Sequence, residues 1–358
     1  LMSDLRKDGF NVVTIVDPGV KTDSSYRVYR QGRRRRVFVR RPDGRTYKGR
    51  VWPGVVAYPD FARPASRTWW ADNHKALFDA GVRGIWNDMN EPSNFAIDTG
   101  TLDETALHGE PGAEIEHAYV HNAYGNLMSQ ATQEAFARLL PNTRPFIITR
   151  AGCGGIQRHA CVWTGDNSSW WEHLLMTIPM CCNMSLSGVS FVGADVGGFM
   201  DSADPELVAR WTQMGAFMPL FRSHSMIRSV PQEPYALGEP YTSICRKYIK
   251  LRYRLLPYMY TLIRQCAQDG TPVMRPMVYD FPDDSATHAM YDQFMLGPDI
   301  MVAPVYLPGA AARPVYFPRG RWAHLETGQV VESMGEHILV QCPLDQIPAY
   351  LKEGSILP

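Results

Sequence analysis

Short apolar runs recur along the chain, each closed by a polar or turn-forming residue and most followed by a longer segment of helical spacing. Residues 11–17 form a β-branched run that stops at Asp17-Pro18-Gly19, which predicts a buried strand with a turn after it. The same design recurs at 82–86 before Asp88, at 144–150 ending on Arg150, and at 161–166 ending on Asp166. It returns at 189–195 ending on Asp195 and at 217–224 ending on Arg222, Ser223 and His224. Amphipathic stretches separate the runs: 66–80 with Ser66 as N-cap, 117–140 stopping before Pro141, 170–184, and 205–216. Residues 52–61 read as an aromatic, proline-rich loop, and 33–44, with a Pro42-Asp43-Gly44 turn, as a surface hairpin.

Six strands alternating with helices, each ending on a chemically useful side chain, predict an α/β fold of the (β/α)8 TIM-barrel type. A doubly wound open sheet also gathers polar groups at strand ends and is the alternative fold. Its signature is missing, because Gly152-Cys153-Gly154-Gly155 does not fit G-x-G-x-x-G, and neither a phosphate-binding loop nor His-Glu-x-x-His occurs. A barrel needs eight strands, and residues 1–9 read as helix running into the first visible one. The six are therefore read as strands 3 to 8, with the first two upstream. Residues 244–268 predict a long core-facing helix. After Gly270 the pattern changes to short strands at 272–281, 300–306, 314–317 and 337–340, a small all-β sandwich. The predicted division is a partial barrel over 1–270 and a β-sandwich domain over 271–358.

Composition narrows the function. The 358 residues carry 36 basic and 36 acidic side chains, so nothing favours a nucleic-acid partner, and the substrate is expected to be neutral. Nine tryptophans and seventeen tyrosines suit apolar pockets with polar tips. No apolar run is long enough to span a membrane, and no signal peptide is visible. Seven cysteines without ligand-like spacing read as free thiols, favouring a reducing, cytoplasmic setting, and no metal or cofactor is expected.

The segment at 84–95 concentrates the chemistry: Asp88 and Glu91 stand beyond an apolar run among Asn87, Asn90, Asn94, Trp86 and Phe95. Asp88 and Asp166 on neighbouring strand ends, with aromatic neighbours and no metal-ligand set, suit glycoside cleavage. That reaction needs one carboxylate to capture an oxocarbenium centre and one carboxylic acid to protonate the leaving oxygen.

At this point Trp86-Asn87-Asp88-Met89-Asn90-Glu91-Pro92-Ser93 resembles the signature of glycoside hydrolase family 31, the retaining α-glucosidases. Further blocks resemble the same family: Val16-Asp17-Pro18-Gly19, Trp52-Pro53-Gly54, Trp163-Thr164-Gly165-Asp166-Asn167, residues 192–199, Phe221-Arg222-Ser223-His224, residues 272–276 and residues 296–304. The resemblance implies Asp88 as nucleophile, Asp166 as acid/base and Glu91 as a supporting carboxylate. It places Arg150, Asp195 and His224 on the sugar hydroxyls, with Trp52, Trp86, Met89, Trp163 and Phe199 as pocket walls. Ile15, Asp17 and Arg222 are further lining candidates. The expected substrate is an α-glucoside or oligosaccharide. The family's N-terminal β-domain, its distal C-terminal domain and the aspartate of its second barrel strand have no counterpart here. A transglycosylase or lyase on the same pocket, and a silent carbohydrate-binding subunit, are the alternatives.

Overall fold

The computed structural model describes residues 1–357 and divides into two compact units, Leu1–Val162 and Trp163–Pro358. Four short parallel strands lie side by side: Val13–Val16, Gly84–Asn87 and Ile147–Thr149 in the first unit, and Cys161–Trp163, which pairs through Cys161 and Val162 at that unit's end. The inner ones are buried on both faces, which is why they read as continuous apolar runs rather than alternating ones. Val13–Val16 instead alternates exposed and half-buried, with Val13 at 42% and Ile15 at 50% exposure. Helices Pro64–Asn73, Lys75–Asp79 and His117–Leu139 cover the sheet through Ala71, Phe78, Ala135 and Phe136, which pack on Ile85 and Ile147. Burying Ile85, Ile147, Phe78 and Phe136 contributes about 1.5–3 kcal/mol each. A three-stranded antiparallel sheet, Val20–Lys21, Gly54–Ala57 and Lys48–Val51, carries Trp52 on its tight turn.

Two local expectations change here. Ser66 is not an N-cap: the helix starts at Pro64 after Arg63, and the Ser66 hydroxyl donates to the Val37 carbonyl from inside it. Arg33, Arg34 and Arg35 do not form a hairpin strand but end the helix Arg27–Arg35, as expected for a residue with high helix propensity whose charge complements a helix C-terminus. The part of that hairpin around the turn is present: Arg40 bridges Thr46 antiparallel, Tyr47 N–H donates to the Val39 carbonyl at 2.8 Å, and Arg41 N–H closes on the Arg45 carbonyl at 2.7 Å.

In the second unit the strand Val192–Gly193 accepts twice: the Leu220 N–H donates to the Val192 carbonyl at 3.1 Å, and the Thr164 N–H donates to the Gly193 carbonyl at 3.0 Å. Any side chain at 193 would put its Cβ 2.1 Å from the Leu220 carbonyl, so only glycine permits this approach. Residues 217–224 are not a regular strand: they join the ladder by a single parallel bridge between Asp195 and Arg222. Helix Pro205–Gly215 begins with proline at its first turn and with Asp204 accepting the Leu207 N–H at 2.9 Å, a cap that contributes about 1 kcal/mol.

After helix Tyr241–Asp269, closed by a left-handed Gly270, the chain becomes β-rich. A six-stranded antiparallel sheet runs in the order Met274–Pro276, Phe294–Leu296, Ile300–Val302, Ala349–Lys352, Gly320–His324, Val330–Ser333. Ala312–Phe317 and Glu336–Gln341 pair as a second sheet. Alternation sorts the first sheet's side chains. Phe294, Leu296, Ile300 and Val302 join the helices' core, whereas Met295, Met301 and Tyr350 pack with Val315 and Phe317. Residues 277–280, expected as strand, form the short helix Met277–Asp280. Buried Arg210 ties its helix to the β-rich part by donating to the carbonyls of Ala310, Cys342, Pro343 and Gln346.

Candidate active site

In the first unit the strand Gly84–Asn87 delivers Asp88, and the chain then turns through Met89, whose φ of 54° is the left-handed region that a methionine rarely adopts. The turn is held from several sides. Ser93 N–H donates to the Met89 carbonyl at 3.0 Å, and Tyr58 Oη donates to the Ser93 carbonyl at 2.8 Å. Asn90 donates to Thr149 Oγ1 at 2.9 Å and accepts from Ala151 N–H at 3.0 Å, which locks the turn to the next strand end. Asn94, itself buried, accepts from Arg50 N–H at 2.9 Å. Phe95 packs edge-on against Trp52 at 4.9 Å, leaving Trp52 75% exposed. The amides of the motif thus hold the turn in place.

Arg150, one residue past its strand, gathers this segment. Its Nη1 stands 3.2 Å from Asp88 Oδ1, while Nε and Nη2 form a two-point bond to Glu91 at 2.7 and 3.0 Å. The same Nη2 reaches Ser93 Oγ at 3.1 Å and Met89 Sδ at 3.2 Å. Burial works to raise the Glu91 pKa, but the bond and charge of Arg150, joined by Ser93, outweigh it and leave Glu91 below the usual range. Asp17 goes the other way. Burial first, then the charge of Asp88, push it up to about 6 against the pull of Arg150. Its Oδ1 has no hydrogen-bond partner. Asp17 also borders a mostly apolar cavity of about 610 Å3 with Val16, Tyr26, Trp70 and Leu77. Ile15, half exposed, and Trp86 lie on the strands that lead into this cluster.

In the second unit Arg222 donates from Nε to Asp195 Oδ1 at 2.7 Å, with Nη2 at 2.6 Å from the same oxygen. Its guanidinium carbon lies 4.8 Å from the centre of the buried Trp163 ring. Asp195 is fully buried, and Val196 N–H to the Arg222 carbonyl at 2.8 Å repeats the link through the backbone. Phe199 and His224 stack at 5.0 Å. Burial and the Arg222 charge lower the His224 pKa against the opposing charge of Asp166, so the imidazole is neutral at pH 7. Asp166 follows a left-handed Gly165, and the turn is pinned by Thr164 Oγ1 on Asn167 Oδ1 at 2.5 Å and by Phe199 N–H on the Asn167 carbonyl at 2.6 Å.

Asp17, Asp88, Met89, Glu91 and Arg150 therefore come together in one unit, and Trp163, Asp195, Arg222, with the Phe199–His224 stack and Asp166 beside it, in the other. Sequence reading passed over Ser93, Asn94, Tyr58 and Thr149 as positioning groups. The only hint was the pair of amides inside the motif. Among the described residues no group of three or more His, Cys, Asp or Glu side chains is disposed to hold a metal ion, and no helix is long and apolar enough to cross a membrane.

Residues 1–262 match the glycosyl hydrolases family 31 TIM-barrel domain, and residues 270–357 match the glycosyl hydrolase family 31 C-terminal domain. Alpha-glucosidase 2 of Bacillus thermoamyloliquefaciens is 47% identical over 357 residues, spanning 100% of this chain and 45% of that protein. Among solved structures, a glucosidase II alpha subunit in its Glc1Man2-bound form superposes with a TM-score of 0.94 at 35% identity, covering 98% of this chain and 39% of its own. A family 31 dextranase of Flavobacterium johnsoniae complexed with glucose gives 0.91 at 30% identity, covering 99% and 45%. The chain thus spans less than half the length of these relatives.

Proposed function

The chain belongs to glycosyl hydrolase family 31, and from that membership we propose that it carries the catalytic residues of a retaining α-glucosidase acting on terminal α-linked glucose. Asp88 is the nucleophile: it captures the anomeric carbon as the glycosidic bond breaks, and a water then releases the sugar. Asp166 is the acid/base, giving a proton to the leaving oxygen and taking one from the incoming water. Arg150, Asp195 and His224 hold sugar hydroxyls; Trp52, Trp86, Met89, Trp163 and Phe199 wall the pocket, with Ile15, Asp17 and Arg222 completing it. Glu91 keeps Arg150 in place and takes no part in bond making. The six strand-like segments are read as strands 3 to 8 of the barrel, with residues 271–358 as the C-terminal β-domain.

The observation that carries this reading is the pairing of Arg150 with both Asp88 and Glu91. It gives a nucleophile at a strand end a cation on one flank and leaves surplus negative charge to meet an oxocarbenium-like centre. The test uses the full-length enzyme and a series of aryl α-glucosides. Asp88→Ala should lose at least about four orders of magnitude in kcat on every substrate, with its fold intact by circular dichroism. Asp166→Ala should spare aryl groups that leave without protonation and cripple the poor leaving groups. A folded Asp88→Ala protein with substantial turnover would remove Asp88 from its role.

A further inference from the structure

The arginine run at 33–36 has no part in the proposed chemistry, and its surroundings are built rather than diffuse. The helix Arg27–Arg35 stops at a left-handed Arg36, and the chain folds back so that the 41–45 turn and the start of the strand Lys48–Val51 face Arg33. Tyr29, Arg33, Arg41, Arg45, Thr46 and Lys48 line an open hollow of about 380 Å3, its four cations exposed at the surface. That volume lies within the ~300–1,000 Å3 typical of small-ligand sites.

Two of its cations are held in place. The Arg33 guanidinium lies 5.9 Å from the centre of the Tyr29 ring, and that of Arg41 lies 5.7 Å from the Tyr47 ring. Both rings are buried, at 7% and 2% exposure, so each guanidinium rests on a surface fixed by the core. Arg45 is committed to Asp43 at 2.5 Å. No carboxylate among the described residues lies within ion-pair distance of Arg33, Arg41 or Lys48. Three like charges converge on one hollow, and the carboxylate that feels the charge of Arg41, Asp43, is itself paired with Arg45. Helix-dipole complementarity explains Arg33, but not Arg41 or Lys48, which sit on a turn and a strand. An adjoining cavity of about 290 Å3 shares Arg41 but is bounded by Asp43 and Asp103, which makes it the wrong place for an anion.

We propose that the first cavity is a binding site for a phosphate-class oxyanion, either free phosphate or the phosphate ester of a sugar. The two guanidiniums offer planar forks that match phosphate oxygens, Lys48 adds a point charge, and the Thr46 hydroxyl adds a donor. The site lies wholly in the first unit, and it stands or falls independently of the roles given to Asp88 and Asp166.

Isothermal titration of the full-length protein with inorganic phosphate, and separately with glucose 6-phosphate, tests it at two salt concentrations. One-site binding is expected, weakened about tenfold by Arg41→Gln, abolished by Arg33→Gln with Arg41→Gln, and weaker at the higher salt. Arg34→Gln, on the same helix but outside the cavity, should leave binding unchanged. The same variants' melting curves, read without ligand, confirm that they fold. Tighter binding of glucose 6-phosphate that is lost in the double variant assigns the site to a sugar ester; equal or weaker binding assigns it to free phosphate. Absence of saturable binding up to about 10 mM phosphate would overturn the proposal. So would an Arg34→Gln loss as large as that of Arg41→Gln, which would show a general basic field instead of a site.

Discussion

The two polar clusters at strand ends, one in each compact unit, are built on different charge balances. In the first, one cation, Arg150, faces Asp88 and Glu91 directly and Asp17 through its field. In the second, Arg222 places two nitrogens on one oxygen of the fully buried Asp195 and is braced on Trp163. Burial first, then the charge of Asp88, pushes Asp17 up to about 6, whereas burial first, then the charge of Arg222, lowers His224. Surplus negative charge suits a reaction that develops positive charge; a matched, buried pair suits a rigid hydrogen-bonding frame.

The largest effect should come from breaking the matched pair. Asp195→Ala removes a fully buried carboxylate that Arg222 bonds through two nitrogens and should cost about 3 kcal/mol in urea unfolding, whereas Glu91→Gln, which leaves Arg150 bonded to Asp88 and Ser93, should cost roughly 1 kcal/mol. Equal costs would erase the contrast between the units.

Next in size is Arg150→Gln, which leaves the first cluster without its cation. The kcat/KM of the full-length enzyme should fall about 100-fold, or roughly 2.7 kcal/mol, with the acidic limb of its pH profile moved to higher pH. Arg150→Lys keeps the charge and loses the fork, so it should lower activity without moving that limb. A shift in both variants would mean that charge is not what Arg150 supplies.

Smaller still is an acid sensitivity of the first unit. Burial holds His74 down to about 4, and burial together with the charges of His108 and His121 holds His117 down to about 3. The unfolded chain protonates both near pH 6.5, so between that pH and about 4 it binds more protons than the native state. Stability must fall as pH drops through this window, by on the order of 2 kcal/mol for His74. Melting curves from pH 7.5 to 4 should show the fall, and His74→Gln should flatten it.

The smallest effect concerns Asp17. Its native pKa lies above the unfolded value, so its contribution is full below about pH 3.8 and is lost as pH rises through about 6. Asp17→Asn should therefore stabilise the fold at pH 7 by about 1 kcal/mol, discounted for its partial exposure, and change nothing at pH 3. A destabilised Asn variant at pH 7 would mean that Asp17 has a partner in solution that offsets its surplus charge.

The barrel-type strands were legible because buried parallel strands are apolar on both faces, as at Ile147–Thr149 and Cys161–Trp163. Residues 217–224 carried the same signal and make only one bridge, since backbone pairing depends on neighbours that composition does not name. The arginine run was misread for a related reason: a β-branched segment follows it, and local pattern could not say where helix Arg27–Arg35 yields to a turn. Phe294–Leu296, Gly320–His324, Val330–Ser333 and Ala349–Lys352 escaped notice because they are short, and the first, buried on every residue, shows no alternation.

Residue chemistry and its order along the chain were properties of the sequence: which carboxylates follow which strands, and the motif that marks the family. Partnership was not. Glu91 and Arg150 are 59 residues apart, and Asp195 and Arg222 are 27 apart, and nothing local says which carboxylate will meet which cation. Only the tertiary structure decides this, because a pKa or an ion pair depends on distances of a few ångströms and on the exclusion of water, both of which are set by how the strands are brought side by side.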